Sequence, residues 1–337
     1  MPEEDKPAAY LAKAASLTDI GSAGQNVRKM ALNLLLDAIA VMSGAVSHPT
    51  MLALAAQISP SDGPSTFIGE KRGTQLRDAI LLNAATTTVL QRQDGYARAK
   101  GHPASQLAPV LLALAERQNA SPEAMLTAFV AGYEVGARVG IAMGGVPPWL
   151  HDNGNWATVG TAAAATHLLS HGAARAIDAS IEGAASLALS FDRYTTAAGA
   201  SLHHLYPAMA TTHALAIAEA SSAGLTPLGG SLERFYGPRL GSDFNATKLT
   251  EGVCADGWTT FEILNGYLKL HPSCAHLHGI NDAMNLLLES YSLNEESIAT
   301  IDVTTFGEAM EIDCPDPSND LAARFSAKAT VAAAIKF

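Results

Sequence analysis

Histidine, lysine and aspartate side chains that could move protons or bind anions occur in four separate segments of the sequence. They are Asp94 and His102, His151, His203, and Lys269 with His278. An imidazole titrates near neutral pH and can act as a general acid or a general base, and a lysine ammonium binds carboxylates. The pattern therefore favours proton chemistry on a small anionic molecule, provided that the fold brings the segments together.

His102 has the most informative local context of these residues. Gly101 precedes it and Pro103 follows it, and Pro103 disfavours an α conformation at His102. We therefore expect His102 just outside the start of the following helix, with Ser105 capping the first turn. A surface histidine beside a helix start is the alternative that these residues leave open.

The composition excludes some partners and indicates the fold class. The chain has 337 residues, a net charge of −11, 48% hydrophobic residues and only 6% aromatic residues. The negative charge argues against nucleic acid as a partner, whereas an anionic small molecule remains compatible through local His and Lys side chains. An apolar fraction dominated by alanine favours closely packed helices.

Cysteine usage and the terminal sequence indicate a cytoplasmic protein. Cys254, Cys274 and Cys314 are widely spaced, so neither a disulfide framework nor a structural zinc site is predicted. The N-terminal MPEEDKPAAY lacks the features of a signal or transit peptide, and apolar runs such as 159–169 are too short to span a membrane. We predict no metal, because His276 and His278 are two residues apart and would diverge on a helix.

Helical periodicity and capping residues predict helices over most of the chain. The predicted helices are 8–16, 26–44, 49–58, 74–92, 105–117, 121–142, 157–169, 178–189, 208–223, 232–236 and 275–291. Small residues at 160–165 predict a helix at the centre of the assembly. Asp37 lies in an apolar helical run, and we expect a buried carboxylate with satisfied hydrogen bonds there rather than a catalytic one.

The composition changes near residue 255, where extended structure is predicted. Segments 259–264 and 267–270 are predicted strands, and 298–306 has the strongest strand pattern of the chain. These patterns predict a mainly α protein with a large all-helical domain (1–255) and a smaller α+β domain (256–320). Residues 321–337 are predicted to begin a return to the helical domain.

Five segments together resemble the MmgE/PrpD family. They are LLLDAIAVMSG near the start, GHP with the following LAPVLLALAE, AFVAGYEVGARVG, LHDNGNWATVGTAAAATHLL, and KLHPSCAHLHGINDAM. The family includes 2-methylcitrate dehydratases, cis-aconitate decarboxylases and iminodisuccinate epimerases. The resemblance implies a large helical domain, a smaller lid domain, a homodimer, and cofactor-independent chemistry on di- and tricarboxylic acids.

The resemblance also implies roles for individual residues. His102 corresponds to the histidine of the family's G/S-H-P motif, His151 to its turn histidine, and Lys269 and His278 to the K-x-x-P-S-C…H segment. On this basis the expected catalytic residues are His102, His151, Asp94 and His203. The expected substrate-binding residues are Lys269, His278 and Gln91.

The sequence departs from the family pattern at several positions. The family's acidic D-x-D-D-T cluster corresponds to 91–95, where only the carboxylate of Asp94 remains and Gly95 replaces the threonine. His203 stands at the lysine of a K-R-x-H motif, Tyr206 at its histidine, and Ala329 at a family tyrosine. The chain also stops at Phe337, which predicts an incomplete lid.

Three functions remain open on this reading. The first is a lyase that dehydrates or decarboxylates a citrate-like acid. The second is an epimerase of an iminodisuccinate-like dicarboxylate, which needs only removal and return of a proton. The third is a relative that has lost its activity and only binds such an acid.

Overall fold

A computed structural model of the protein describes residues 6–240 and 244–336. The described chain is mainly α, which confirms the predicted fold class. Its helices are α1 (Pro7–Ser16), α2 (Gln25–Ala45), α3 (Pro49–Ile58), α4 (Leu76–Thr86), α5 (Ala104–Gln118), α6 (Pro122–Ala142), α7 (Trp156–Leu169), α8 (Ala174–Ser186), α9 (Tyr194–Ala197), α10 (Leu205–Ser222), α11 (Gly237–Leu240), α12 (His278–Tyr291), α13 (Gly307–Glu311), α14 (Asp320–Ala323) and α15 (Ala327–Lys336).

Helix α7 lies at the centre of the helical body, as the small residues predicted. It is buried along nearly its whole length and packs against α5, α6, α8 and α10. The backbones of α6 and α7 meet at Gly132 and Gly160: a Cβ at Gly132 would lie 2.4 Å from the Ala164 Cβ, and one at Gly160 would lie 2.4 Å from the Gly132 carbonyl oxygen. Glycine is required at this crossing because any side chain would separate the helices.

Five short strands form two small sheets and a separate extended segment. They are β1 (Asp62–Ser65), β2 (Gly95–Tyr96), β3 (Val253–Cys254), β4 (Gly257–Trp258) and β5 (Gly266–Tyr267). Strands β3 and β4 form an antiparallel hairpin. Strand β2 pairs antiparallel with β5, so backbone hydrogen bonds join the loop before α5 to the C-terminal region.

A buried ion pair fixes the chain that leads into β5. Glu134 and Arg138 lie one turn apart on α6, form a salt bridge, and are 0% and 1% exposed. The Glu134 carboxylate also accepts hydrogen bonds from the backbone N–H groups of Glu262 and Ile263, both at 2.8 Å. Arg138 donates to the carbonyl oxygen of Thr260 at 2.8 Å. Helix α6 therefore holds the segment before β5 through charged hydrogen bonds.

Most helix predictions are confirmed, with two clear differences in extent. The helix predicted at 74–92 ends at Thr86, because the hydroxyls of Thr86 and Thr87 donate to the carbonyls of Asn83 and Ala84 at 2.6 and 2.7 Å. The helix predicted at 178–189 runs instead from Ala174 to Ser186. The shortening of α4 releases residues 87–94 into the loop that reaches the candidate site.

The strand predictions in the C-terminal region are largely wrong. Residues 298–306 form no strand, because no other described strand lies beside them to complete a ladder. Segment 259–264 forms a turn and a 3₁₀ helix, since Glu134 binds two consecutive N–H groups there. Of 267–270 only Tyr267 is in a strand, because its partner β2 is two residues long.

The prediction for Asp37 is also wrong. Its side chain is half-buried, and among the described residues its buried Oδ2 has no hydrogen-bond partner. Burial raises the pKa of Asp37, and the positive charge of Arg92 partly opposes this shift. Asp37 is therefore an unsatisfied carboxylate beside the helical core.

The C-terminal region packs as short helices beside the body. Helix α12 packs against α15, and Leu277, Ile280, Met284 and Val331 form a small buried cluster there. The predicted domain boundaries at 255 and 320 stay predictions. Among the described helices only α6 is, by itself, long and apolar enough to cross a membrane; 78% of that stretch is buried inside the protein, which is typical of a core helix.

We predict that Glu134→Ala destabilises the protein by about 3–5 kcal/mol, because it leaves the buried Arg138 without its counter-charge. The variant also removes the acceptor for two backbone N–H groups. Urea unfolding measures the loss. Glu123→Ala is the matched control: this acid pairs with Arg28 at the exposed end of α6, and its loss should cost less than about 1 kcal/mol. Equal stability of the two variants would contradict this role of the buried pair.

Candidate functional site

The carboxylate of Asp94 holds the start of α5. Its Oδ2 and Oδ1 accept hydrogen bonds from the backbone N–H groups of Ala104 and Ser105 at 3.1 and 3.2 Å, and the residue is 2% exposed. Ser105 does not cap the helix as predicted; its Oγ donates to the carbonyl oxygen of His102 at 2.6 Å. The cap comes from the preceding loop because Asp94 reaches both N–H groups at once.

His102 lies just before α5, as predicted, and both its backbone and its ring are fixed. Its backbone N–H donates to Asp152 Oδ2 at 3.0 Å, and its Nδ1 lies 2.5 Å from the carbonyl oxygen of Asp94. A carbonyl oxygen only accepts, so Nδ1 carries the proton and Nε2 carries the lone pair in the neutral ring. Burial lowers the pKa of His102 to about 4, although the Asp152 charge acts in the opposite direction. The ring is therefore a neutral base at physiological pH.

His102 lines a cavity of about 510 Å³ between the helical body and the C-terminal region. Five of the seven predicted site residues line it: Gln91, His102, His151, Lys269 and His278. Asp94 and His203 do not line the cavity; they lie behind its wall. A cavity of this volume is within the range of small-molecule binding sites.

His151 enters the cavity from the turn before α7, beside a carboxylate. Its Nδ1 is 3.0 Å from Asp152 Oδ1 and 3.2 Å from the backbone N–H of Asn153. The neutral ring accepts from Asn153, and a ring protonated at Nδ1 donates to Asp152 instead. Burial acts to raise the pKa of Asp152, but the charges and hydrogen bonds of His151 and His102 outweigh it and hold that pKa well below its ordinary value. Asp152 therefore orients both histidines.

His203 is buried behind His151, with ring centroids 4.9 Å apart, and is 1% exposed. The Gln91 amide nitrogen lies 3.2 Å from its Nε2, and Thr196 Oγ1 lies 3.0 Å from its Nδ1. The Gln91 nitrogen also donates to the carbonyl oxygen of Thr88 at 2.8 Å. Because an amide nitrogen only donates, His203 Nε2 accepts and Nδ1 carries the proton. Burial, together with nearby histidines, lowers the pKa of His203 well below its ordinary value.

Lys269 supplies a buried cation to the cavity. It is 3% exposed, and its ammonium donates to the carbonyl oxygens of Gln91 and Ser273, both at 3.2 Å. Within the described ranges its ammonium forms no salt bridge, although Cys274, Asp152 and Asp94 act on its charge at longer range. Burial lowers the pKa of Lys269, and a bound anion would oppose that shift. An ammonium has three donors, and one remains for a ligand.

Two further imidazoles face the cavity with unused nitrogen atoms. His276 precedes α12 and His278 begins it, and both line the cavity rather than diverging as predicted, because His276 is in a 3₁₀ turn. Among the described residues, His276 Nδ1 and His278 Nε2 are buried without a hydrogen-bond partner. Both rings therefore add polar groups to the cavity wall. No cluster of three or more His, Cys, Asp or Glu side chains in the described ranges is arranged to hold a metal ion.

Other residues of the cavity wall were missed by the sequence analysis. They are Asp152, Arg193, Tyr267, Cys274 and His276. Two of them could have been identified from the sequence, because Asp152 directly follows His151 and Cys274 belongs to the P-S-C segment. Arg193 and Tyr267 carry no local motif, and only the tertiary structure brings them to the cavity.

The structure explains why residue 95 is a glycine. A Cβ there would lie 2.1 Å from Cζ and 2.3 Å from the hydroxyl oxygen of Tyr267, whose strand pairs with β2. The Tyr267 ring therefore occupies the space that a residue 95 side chain would need. Burial raises the pKa of Tyr267 to about 12, so its hydroxyl is a neutral donor at the cavity wall.

The fold and the cavity define a helical protein with a small-molecule site built from histidines and a lysine. Residues 9–238 match the MmgE/PrpD N-terminal domain, and the chain belongs to the MmgE/PrpD family. The match includes Asp94, His102, His151 and His203, whereas Lys269 and His278 lie beyond it. A search of curated proteins finds no match.

We predict that Gly95→Ala displaces the Tyr267 ring and costs about 1–3 kcal/mol, as overpacking of a tight contact does. Thermal unfolding, and the near-ultraviolet signal of the tyrosines, report the change. Gly279→Ala is the control, since a Cβ there has no atom within 4 Å and alanine favours a helix. A Gly95→Ala protein as stable as Gly279→Ala, with unchanged spectra, would contradict the contact.

Proposed function

We propose that the protein is a cofactor-independent lyase that acts on a citrate-like di- or tricarboxylic acid. The observation that carries this proposal is one cavity lined by both a neutral imidazole, His102, and a buried ammonium without a carboxylate partner, Lys269. This combination can bind a carboxylate and remove a proton beside it. Membership of the MmgE/PrpD family supports the same chemistry.

The proposed reaction begins at the carbon next to a carboxylate. His102 Nε2 takes the proton from this carbon, and the negative charge that develops spreads onto the carboxylate oxygens. Lys269 stabilises this charge, and the stabilisation is strong because the ammonium is 3% exposed and water competes little. His151 then supplies a proton to the leaving group, and Asp152 stabilises the imidazolium form.

The remaining predicted residues have supporting roles in this proposal. Asp94 fixes His102 through its carbonyl oxygen and its cap of α5. His203 supports His151 from behind the cavity wall, and Gln91 holds His203 through its amide and Lys269 through its carbonyl oxygen. The His278 ring, which lines the cavity, binds the substrate in this proposal. We further propose a cytoplasmic homodimer with a small-molecule carboxylate as its ligand. Decarboxylation of a cis-aconitate-like acid would use the same residues to bind the carboxylates of the substrate.

An epimerase of an iminodisuccinate-like dicarboxylate is the second candidate. The observation that favours it is the presence of two imidazoles, His102 and His151, on one cavity. One ring could remove a proton from carbon and the other could return it to the opposite face. Loss of a leaving group is not required for this reaction.

We predict that the wild type converts at least one of citrate, 2-methylcitrate, cis-aconitate or iminodisuccinate in D₂O, followed by proton NMR. New alkene or itaconate-like signals identify a lyase. Deuterium incorporation at carbon without net loss of the acid identifies an epimerase. His102→Asn should lower the rate about 10²–10⁴-fold, because its amide can still donate to the Asp94 carbonyl but offers no base at Nε2.

His171→Asn is the matched control, since His171 is exposed outside the cavity and asparagine tolerates its positive φ of 52°. It should react at the wild-type rate. Equal rates for His102→Asn and wild type would rule out His102 as the base. Tight binding of an acid without any conversion would identify a binding protein instead.

A further inference from the structure

Arg193 lies on the cavity wall, and within the described ranges no side chain pairs with its guanidinium. Arg193 is the residue before α9, and its backbone N–H donates to the carbonyl oxygen of Trp149 at 3.3 Å. Its side chain lines the cavity and, among the described residues, makes no hydrogen bond or ion pair. A guanidinium carries a permanent charge and five N–H donors, so this side chain can bind a planar anion.

Two carboxylates near Arg193, those of Asp192 and Glu308, already bind other groups. Asp192 accepts from the backbone N–H of Tyr194 at 2.9 Å and from the hydroxyl of Thr195 at 3.3 Å. Glu308, also on the cavity wall, pairs with Lys100. Among the described residues no carboxylate forms an ion pair with this guanidinium; Lys100 lowers the pKa of Glu308, and the charge of Arg193 also contributes to that shift.

Arg193 and Lys269 influence different histidines of the cavity wall. After burial, the charge of Arg193 is the next cause that lowers the pKa of His276. After burial, the charge of Lys269 is the next cause that lowers the pKa of His278, and it also acts on His102. Both cations also act on Cys274, so they face one cavity from two sides of its wall and differ in the histidines that they influence.

We propose that Arg193 binds a second carboxylate of the substrate, while Lys269 binds the carboxylate next to the reacting carbon. This inference rests on the proposed function, and it assigns a binding residue to each of two carboxylates of the substrate. A bidentate pair between the guanidinium and a carboxylate fixes the orientation of the acid as well as its affinity.

Binding of tricarballylate, a tricarboxylate without a leaving group, tests this role by isothermal titration calorimetry. Arg193→Gln should weaken its binding about 10–100-fold, as loss of a charged hydrogen-bonded pair does. Binding of a tricarballylate amide with a single remaining carboxylate should change less than about 3-fold, because Arg193 then has no carboxylate to bind. Arg193→Lys should restore part of the affinity, since it keeps the charge but loses the bidentate geometry.

Arg72→Gln is the matched control, because it removes the same charge from an exposed pair with Asp62 outside the cavity. It should bind both ligands as the wild type does. The inference is overturned if wild type binds no tricarballylate, if Arg193→Gln binds it normally, or if both ligands lose affinity equally. Loss of tricarballylate binding in Arg193→Gln, without turnover of any acid by wild type, would support Arg193 and refute the lyase.

Discussion

A buried carboxylate at the start of α5 determines the geometry of the candidate site. Asp94 accepts two N–H groups of α5 through its side chain, and its carbonyl oxygen accepts the Nδ1 proton of His102. One residue thus fixes both the helix and the tautomer of the base beside it. Burial raises the pKa of Asp94 to about 8. The backbone N–H groups of Ala104 and Ser105 oppose only part of this rise, and the charge of Asp37 adds to it.

The same loop also joins the helical body to the C-terminal region. Strand β2 pairs with β5, Lys269 donates to the carbonyl oxygen of Gln91, and Arg324 donates to that of Leu90 at 3.0 Å. Lys269 therefore reaches the cavity only when the C-terminal region packs against this loop. Because Lys269 is only 3% exposed, its electrostatic interactions with a ligand are stronger than they would be in water. Fold and chemistry depend on one junction, at residues 90–96.

The helical part of the fold was predictable because helical periodicity and small residues are local signals. Helix α7 was correctly placed at the centre for this reason. Segment 298–306 was predicted wrongly because a strand depends on a partner that sequence does not reveal. The same limit applies to the site: His102 and His151 stand in recognisable motifs, whereas Arg193 reaches the cavity only through tertiary packing. Asp94 was predicted as a catalytic group, and its place behind the cavity wall could not be read from the sequence.

The proposed mechanism requires that His102 presents an unprotonated Nε2 to the cavity. ¹⁵N NMR of histidine-labelled protein, with the His102 signals assigned by their loss in His102→Asn, measures this directly. The structure predicts a protonated Nδ1 and an unprotonated Nε2 at pH 7, with protonation of Nε2 only as the pH falls through about 4. Proton uptake near pH 6.5, the value of an unperturbed histidine, or a proton on Nε2 at pH 7, would contradict the account.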